Sequence, residues 1–114
     1  MGTITTHVLD VSRGRPASGV AVRLERLDHE SSAPRLLGIG RTDPDGRLRT
    51  LMDGAVLEPG VHRLTFSVGE YFAAANVETF YPSVQVTFDV KDAGQHYHVP
   101  LLVSPFGYST YRGS

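Results

Sequence analysis

The stretch FYPSVQVTFDV (Phe80–Val90) alternates in polarity along its length. The even positions hold the apolar residues Phe80, Pro82, Val84, Val86, Phe88 and Val90, and the odd positions hold Tyr81, Ser83, Gln85, Thr87 and Asp89. Successive side chains of a β-strand point to opposite faces, so a period of two is typical of a strand with one buried face. The stretch therefore predicts a half-buried β-strand.

Similar strand signals recur along the rest of the chain. Seven further strands are predicted at Thr3–Val11, Val20–Glu25, Leu36–Thr42, Arg47–Thr50, Leu64–Val68, Tyr97–Ser104 and Tyr108–Arg112. Short polar segments rich in glycine and proline separate them, and Asp43–Gly46 (DPDG) predicts a type I turn. This spacing of short strands favours an all-β fold, a β-sandwich of about eight strands.

One short helix is predicted between two of these strands. Ser67 and Glu70 have the spacing of a capping box ahead of Tyr71, Phe72 and three alanines. Asn76 is placed to end the helix, because asparagine tolerates the left-handed conformation found at helix C-termini.

Composition excludes several classes of function. The 114 residues carry a formal net charge of -1, which provides no field for nucleic acid or anionic lipid. The absence of cysteine excludes disulfides, thiolate zinc ligands and a thiol nucleophile. We expect no nucleic-acid partner, no membrane partner and, in the absence of a signal sequence or apolar span, a cytoplasmic location.

Two predicted strands carry apolar residues on both faces. In Thr3–Val11, Leu9 and Val11 lie opposite Ile4 and Val8, and in Tyr97–Ser104, Pro100 and Leu102 lie opposite the valines and Leu101. An antiparallel sandwich strand normally has one solvated face. The second face is therefore expected to contact another subunit of a homo-oligomer.

Three polar residues on or beside these strands are candidates for chemistry. His7 lies in the middle of the first strand, Arg47 follows the DPDG turn, and His98 lies in the seventh strand. Each taken alone has a structural explanation, as a hydrogen-bonded strand histidine or a solvated arginine. A histidine held away from water needs a partner, however, so their occurrence here favours a site. His29 and His62 are interpreted as surface or strand-end residues without a role.

A metal site is the first alternative for these histidines. His96 and His98 project in parallel from one strand and, with His7, could supply three zinc ligands. Arg47 would oppose a divalent cation, and no acidic cluster is near to support the ligands. We therefore expect no metal.

The sequence also lacks GxSxG, HExxH, P-loop and GxGxxG motifs. The remaining hydrolytic mechanism is direct attack by water, in which a neutral histidine acts as the base and a cation stabilises the oxyanion.

The sequence ends in Tyr111–Ser114 (YRGS), a composition that is unusual for a terminus. Terminal residues are commonly small, polar and disordered. The final seven residues instead include two tyrosines and an arginine and no acidic residue, which indicates a docked tail.

Three segments together resemble the transthyretin-related 5-hydroxyisourate hydrolases of purine breakdown. They are ITTHVLDVSRGRPA (Ile4–Ala17), RTDPDGR (Arg41–Arg47) and HYHVPLLVSPFGYSTYRGS (His96–Ser114). The resemblance covers the whole chain and implies a single transthyretin-like hydrolase domain, residues 1–114, in a homotetramer with active sites where dimers meet. The implied reaction, part of urate degradation, opens the N1–C6 amide of 5-hydroxyisourate to give 2-oxo-4-hydroxy-4-carboxy-5-ureidoimidazoline, without cofactor or metal.

The resemblance also implies the site residues. His7, Arg47, His98 and Ser114 would be catalytic, and His7, Arg47, Tyr111 and Ser114 would bind the purine-derived substrate. Either His7 or His98 could be the base, and Ser114 could act through its hydroxyl, its main chain or a free carboxylate. The alternatives are a non-catalytic transthyretin-like carrier of a small aromatic ligand and an adhesion or starch-binding sandwich, neither of which needs the tail.

Overall fold

The computed structural model describes residues 2–27 and 33–114, which form two β-sheets and one short helix. In chain order the elements are β1 (Thr3–Asp10), β2 (Arg15–Pro16), β3 (Ala21–Leu27), β4 (Arg35–Arg41), β5 (Arg47–Leu48), β6 (Gly60–Phe66), α1 (Val68–Ala73), β7 (Val84–Val90), β8 (His96–Ser104) and β9 (Gly107–Thr110). The all-β sandwich with one short helix is confirmed. The described ranges contain no helix long and apolar enough to cross a membrane.

These ranges contain nine strands, where the sequence predicted about eight. The additional strand, β2, is only two residues long and pairs with Leu9 and Asp10 of β1. Two residues are too few to show an alternating pattern. The strand predicted at Phe80–Val90 begins later than predicted, at Val84, and its alternation of buried and more exposed side chains then holds to Val90.

A parallel pair of strands forms the centre of the first sheet. β1 pairs in parallel with β8 over eight residues, and β9 follows β8. β2 and β5 share the other edge of β1. The second sheet has the antiparallel order β4-β3-β6-β7. Strands from the two ends of the sequence therefore lie side by side.

The two central strands bury their inner faces completely and their outer faces in part. Ile4 and Val8 of β1 and Leu101 of β8 have no exposed surface. On the opposite face, Leu9 of β1 pairs with Leu102 of β8, and both remain half-buried. The outer face of this sheet is thus partly apolar in the single chain.

The predicted end of α1 is correct and its predicted capping box is wrong. Asn76 has a φ of 58°, and the Val77 N–H donates to the Phe72 carbonyl at 3.0 Å, as in a Schellman motif. Ser67 precedes the helix but its side chain makes no capping hydrogen bond. The helix is tied to the first sheet instead by Tyr71, whose hydroxyl donates to Asp10 Oδ2 at 2.9 Å.

His62 is buried, so its interpretation as a surface or strand-end residue is wrong; His29 lies outside the described residues. His62 belongs to β6, and its side chain has no exposed surface and stacks on Phe88. Its Nδ1 donates to the Gly60 carbonyl at 2.9 Å, and its Nε2 has no partner among the described residues. Burial lowers the pKa of His62 below its ordinary 6.5.

Replacing His62 by leucine is expected to make the fold less sensitive to acid. In the unfolded chain His62 binds a proton near pH 6.5, whereas in the folded protein it does so only at lower pH because its pKa is lowered. Wild type therefore loses stability as pH falls from about 6.5 through the lowered pKa. His62→Leu removes that loss. Thermal midpoints measured at pH 7.5 and 5 should therefore fall less in the variant than in wild type. An equal fall in both proteins would contradict the argument.

Candidate active site

Strand pairing collects the polar candidates on the outer face of the first sheet. His7 of β1 lies opposite Arg47 of β5, and Thr5 of β1 lies opposite His98 of β8. Because paired residues share a face, three segments distant in sequence contribute to one surface.

The DPDG turn fixes the position of Arg47. The Gly46 N–H donates to the Asp43 carbonyl at 2.8 Å, which closes the predicted turn. Asp43 Oδ1 then accepts the Arg47 backbone N–H at 2.9 Å. This hydrogen bond is the main cause that holds the pKa of Asp43 below its ordinary value. The carboxylate therefore fixes the backbone at the start of β5.

A cavity of about 260 Å³ opens beside β1, β5 and β8. It is lined by Thr5, Thr6, Arg47, Arg49, His96, His98 and Ser114. Larger grooves, of about 360, 470 and 520 Å³, lie on the surface that the structure describes, and none of these is lined by a histidine. The groove of about 360 Å³ shares Arg47 and Arg49 with the cavity. The small cavity is therefore the candidate active site.

The sequence-predicted residues are brought together only in part within one chain. Arg47, His98 and Ser114 line the cavity together. His7 lies on the same face next to Arg47 but is not part of the lining. Tyr111 is 57% exposed and lines a separate groove formed with β7.

His98 is the more buried of the two imidazoles that line the cavity. Its Nδ1 lies 2.8 Å from Thr5 Oγ1. The pKa of His98 lies below its ordinary 6.5, chiefly because of burial and then because of the positive charges of His96, Arg47, His7 and Arg49. His98 is consequently neutral at pH 7 and able to accept a proton.

His7 forms a hydrogen bond with the DPDG turn. Its Nε2 lies 2.9 Å from the Asp45 carbonyl, which can only accept a hydrogen bond. The proton of neutral His7 is therefore on Nε2, and its free electron pair is on Nδ1. His7 thus supports the turn that carries Arg47.

The tail packs directly on His98. The Gly113 N–H donates to the His98 carbonyl at 2.8 Å, and a Cβ atom at position 113 would lie 2.7 Å from His98 Cδ2. The Arg112 guanidinium lies 4.4 Å from the centroid of the Tyr97 ring and donates to Gln95 Oε1. These contacts dock the tail and leave Ser114 at the cavity.

Three cavity residues were not identified from the sequence, namely Thr5, Thr6 and Arg49. Arg49 joins Arg47 in the lining, and its spacing two residues after Arg47 on an extended segment was a usable signal. The involvement of Thr5 depends on the β1–β8 register, which the sequence does not reveal. Among the described residues, the side chains of Arg47 and Arg49 form no ion pair, so both are free to bind an anionic group.

The three histidines considered as zinc ligands do not form a metal-binding group. Within residues 2–27 and 33–114, no three histidine, cysteine or acidic side chains are arranged to hold a metal ion. His96 and His98 instead share the hydroxyl of Thr5.

Comparisons with known proteins give a consistent result. The model of the HIUase/Transthyretin family matches residues 4–113. The 5-hydroxyisourate hydrolase of Caulobacter vibrioides is 48% identical over 118 residues, which cover 100% of both chains. The structure of Klebsiella pneumoniae 5-hydroxyisourate hydrolase has a TM-score of 0.86 at 38% identity and 100% coverage of both chains. Sea bream transthyretin, solved in complex with thyroxine, has a TM-score of 0.90 at 27% identity, covering 97% of this chain and 94% of that chain.

Proposed function

Because the chain belongs to the HIUase/Transthyretin family, we propose that the cavity beside β1, β5 and β8 is the active site in which it hydrolyses 5-hydroxyisourate. The chain is a hydrolase of urate degradation, as the names of its full-length relatives indicate. The observation that carries the proposed site is the convergence of His98, Arg47 and Ser114 on one cavity.

The backbone alone does not separate the hydrolase from the carrier alternative. The transthyretin backbone, with a TM-score of 0.90, is as similar as that of the Klebsiella hydrolase, with 0.86. Sequence identity favours the hydrolases, at 48% and 38% against 27%. The cavity agrees with this, because it is lined by imidazoles and guanidiniums instead of the mostly apolar surface that suits an aromatic ligand.

The proposed reaction uses His98 as base and Arg47 as the stabilising cation. His98 Nε2 takes a proton from water as the oxygen attacks C6 of the substrate ring. Arg47 stabilises the negative charge that develops on the C6 oxygen. The C6–N1 bond then breaks, and protonated His98 returns the proton to N1. The product is 2-oxo-4-hydroxy-4-carboxy-5-ureidoimidazoline, and no metal or cofactor takes part.

The remaining site residues are proposed to bind and position the substrate. Ser114 lies at the cavity and could contact the ring or the attacking water. His7 orients the turn that carries Arg47. Tyr111 does not line the cavity of its own chain and is largely exposed, so we assign it a contact with substrate bound at an adjoining protomer.

A homotetramer is the proposed assembly. Leu9 and Leu102 pair on the outer face of the first sheet, beside His7 and Pro100, and this face would be covered by a second subunit. Sedimentation at micromolar concentration should give a tetramer, and a monomer would contradict the assembly. The cytoplasm is the proposed compartment.

The decay of freshly generated 5-hydroxyisourate, followed by ultraviolet absorbance, tests the activity. The protein should accelerate the decay above the spontaneous rate in proportion to its concentration. A carrier would leave the rate unchanged or slow it by protecting the bound compound. Acceleration by an equal concentration of heat-denatured protein would show that the effect is not enzymatic.

The activity is expected to rise with pH. Protonated His98 cannot act as a base, and its lowered pKa means that it loses this proton below pH 6.5. Accordingly, kcat/KM should increase with pH to a plateau, with a midpoint below 6.5. A profile that stays flat between about pH 5 and 8 would exclude a histidine base.

A further inference from the structure

A buried hydroxyl links the two histidines of β8. Thr5 Oγ1 lies 2.8 Å from His98 Nδ1 and 2.7 Å from His96 Nε2, and the threonine is only 5% exposed. The parallel register places Thr5 directly opposite His98. These distances are those of two good hydrogen bonds, so the three side chains form one continuous network.

The chemistry of the hydroxyl limits where the protons of this network can be. A hydroxyl has one proton to donate and accepts through its lone pairs. Thr5 cannot donate to both histidines, so at least one of the two nitrogens facing it carries a proton and donates to it. The open question is which nitrogen this is.

The cavity favours a proton on His98 Nδ1. Arg47 and Arg49 line the cavity with His98, and a guanidinium has only N–H donors and a positive charge. Nδ1 is turned to Thr5, and no hydrogen bond among the described residues involves Nε2 of His98. An electron pair on Nε2 is attracted by these cations, whereas an N–H there would be repelled.

We propose that Thr5 and His96 are positioning residues that hold neutral His98 with its proton on Nδ1 and its free electron pair on Nε2. In this arrangement His98 Nδ1–H donates to Thr5, and Thr5 donates to Nε2 of His96. This inference rests on the proposed function only in assigning the Nε2 pair to catalysis; the position of the proton is a separate statement.

The network matters at the moment when His98 acts as a base. The proton taken from water binds Nε2, and His98 becomes a cation whose Nδ1–H still donates to Thr5. That hydrogen bond is then charge-assisted and stronger, which stabilises the imidazolium beside the cavity arginines. Without the hydroxyl, Nδ1–H would be left without an acceptor in a half-buried place, and the proton would move to Nε2, where it blocks the base.

Variants of Thr5 test the proposal through turnover. Thr5→Val keeps the shape of the side chain and removes the hydroxyl, and we expect it to lower kcat about 10- to 100-fold with KM unchanged. Thr5→Ser is the matched control, since it keeps the hydroxyl and should remain close to wild type. His96→Phe should lose less than Thr5→Val, because Thr5 can still accept from His98 when His96 is absent.

The position of the proton can be measured without substrate. In protein with ¹⁵N-labelled histidine, magnetic resonance above the pKa of His98 should show a protonated Nδ1 and an unprotonated Nε2, and Thr5→Val should shift the proton toward Nε2. Neutral wild-type His98 with its proton on Nε2 would overturn the proposal, as would a Thr5→Val protein that keeps both the wild-type tautomer and turnover. If wild type has the expected tautomer but does not accelerate 5-hydroxyisourate decay, the proposed function fails and the assignment of the proton stands.

Discussion

Replacing His98 by asparagine is expected to lower kcat for 5-hydroxyisourate hydrolysis by about a hundredfold or more. His98 is the cavity imidazole with a lowered pKa, and Arg47 and Ser114 line the same cavity. Asparagine keeps polarity and similar bulk but cannot take a proton from water. Steady-state rates from the ultraviolet assay give kcat and KM separately, and KM should change much less than kcat.

The pH profile of His98→Asn provides an internal control. If His98 is the base, the residual activity of the variant should no longer increase across the histidine range. A residual rate that keeps the wild-type pH dependence would assign the titration to another group, with His7 the next candidate because it lies on the same face. Turnover near wild type would remove His98 from the mechanism.

Replacing Arg47 by glutamine is expected to lower kcat by about 100- to 1000-fold, the range for loss of one oxyanion-stabilising group. Arg47 is half-buried and forms no ion pair among the described residues, so its charge is available to the substrate. Glutamine can still donate a hydrogen bond but has no charge to offset the developing oxyanion.

Arg49→Gln is the matched control for Arg47→Gln. Arg49 lines the same cavity two residues later, but its side chain is exposed, so water and salt screen its charge. The Arg49→Gln substitution should therefore lower kcat much less than Arg47→Gln does, and its effect should diminish as salt is added. Equal losses from the two variants would mean that the cavity needs only net positive charge and would contradict a specific role for Arg47.

The strands with clear alternation could be predicted from the sequence, and the very short ones could not. β7 follows from the regular spacing of Val84, Val86, Phe88 and Val90. β2 pairs through only two residues, so its formation depends on the neighbouring β1 and leaves no local pattern. The capping box failed for a related reason, because spacing alone does not fix the backbone geometry that Ser67 needs.

The position of His62 shows why burial of a polar residue is difficult to predict. The residue alternates with Val61 and Arg63, so either face of β6 could have been assigned to the core. The inner face holds His62 because Leu64 and Phe66 continue that face and are fully buried. The larger apolar contribution of those two residues decided the register.

Three of the predicted site residues, Arg47, His98 and Ser114, line the candidate cavity together, whereas the hydrogen bonds between its residues could not be predicted. Arg47 after the DPDG turn and the histidines of β1 and β8 are recognisable in sequence, and the turn geometry agrees with the prediction. The bonds from Thr5 to His96 and His98 depend on the parallel register, which no local pattern encodes. A hydrogen-bond network between strands that are distant in sequence can be identified only when the fold is known.

The parallel pairing of β1 with β8 determines when activity can arise during synthesis. Thr3 emerges from the ribosome more than ninety residues before its partner His96, and their pairing must wait until β8 has been synthesised. At about 5–20 residues per second, the first strand spends several seconds with its apolar surface unpaired. Pairings between distant segments also slow folding, so the nascent chain is open to aggregation and chaperone binding over this interval. The candidate active-site cavity consequently cannot form before β8 has been synthesised.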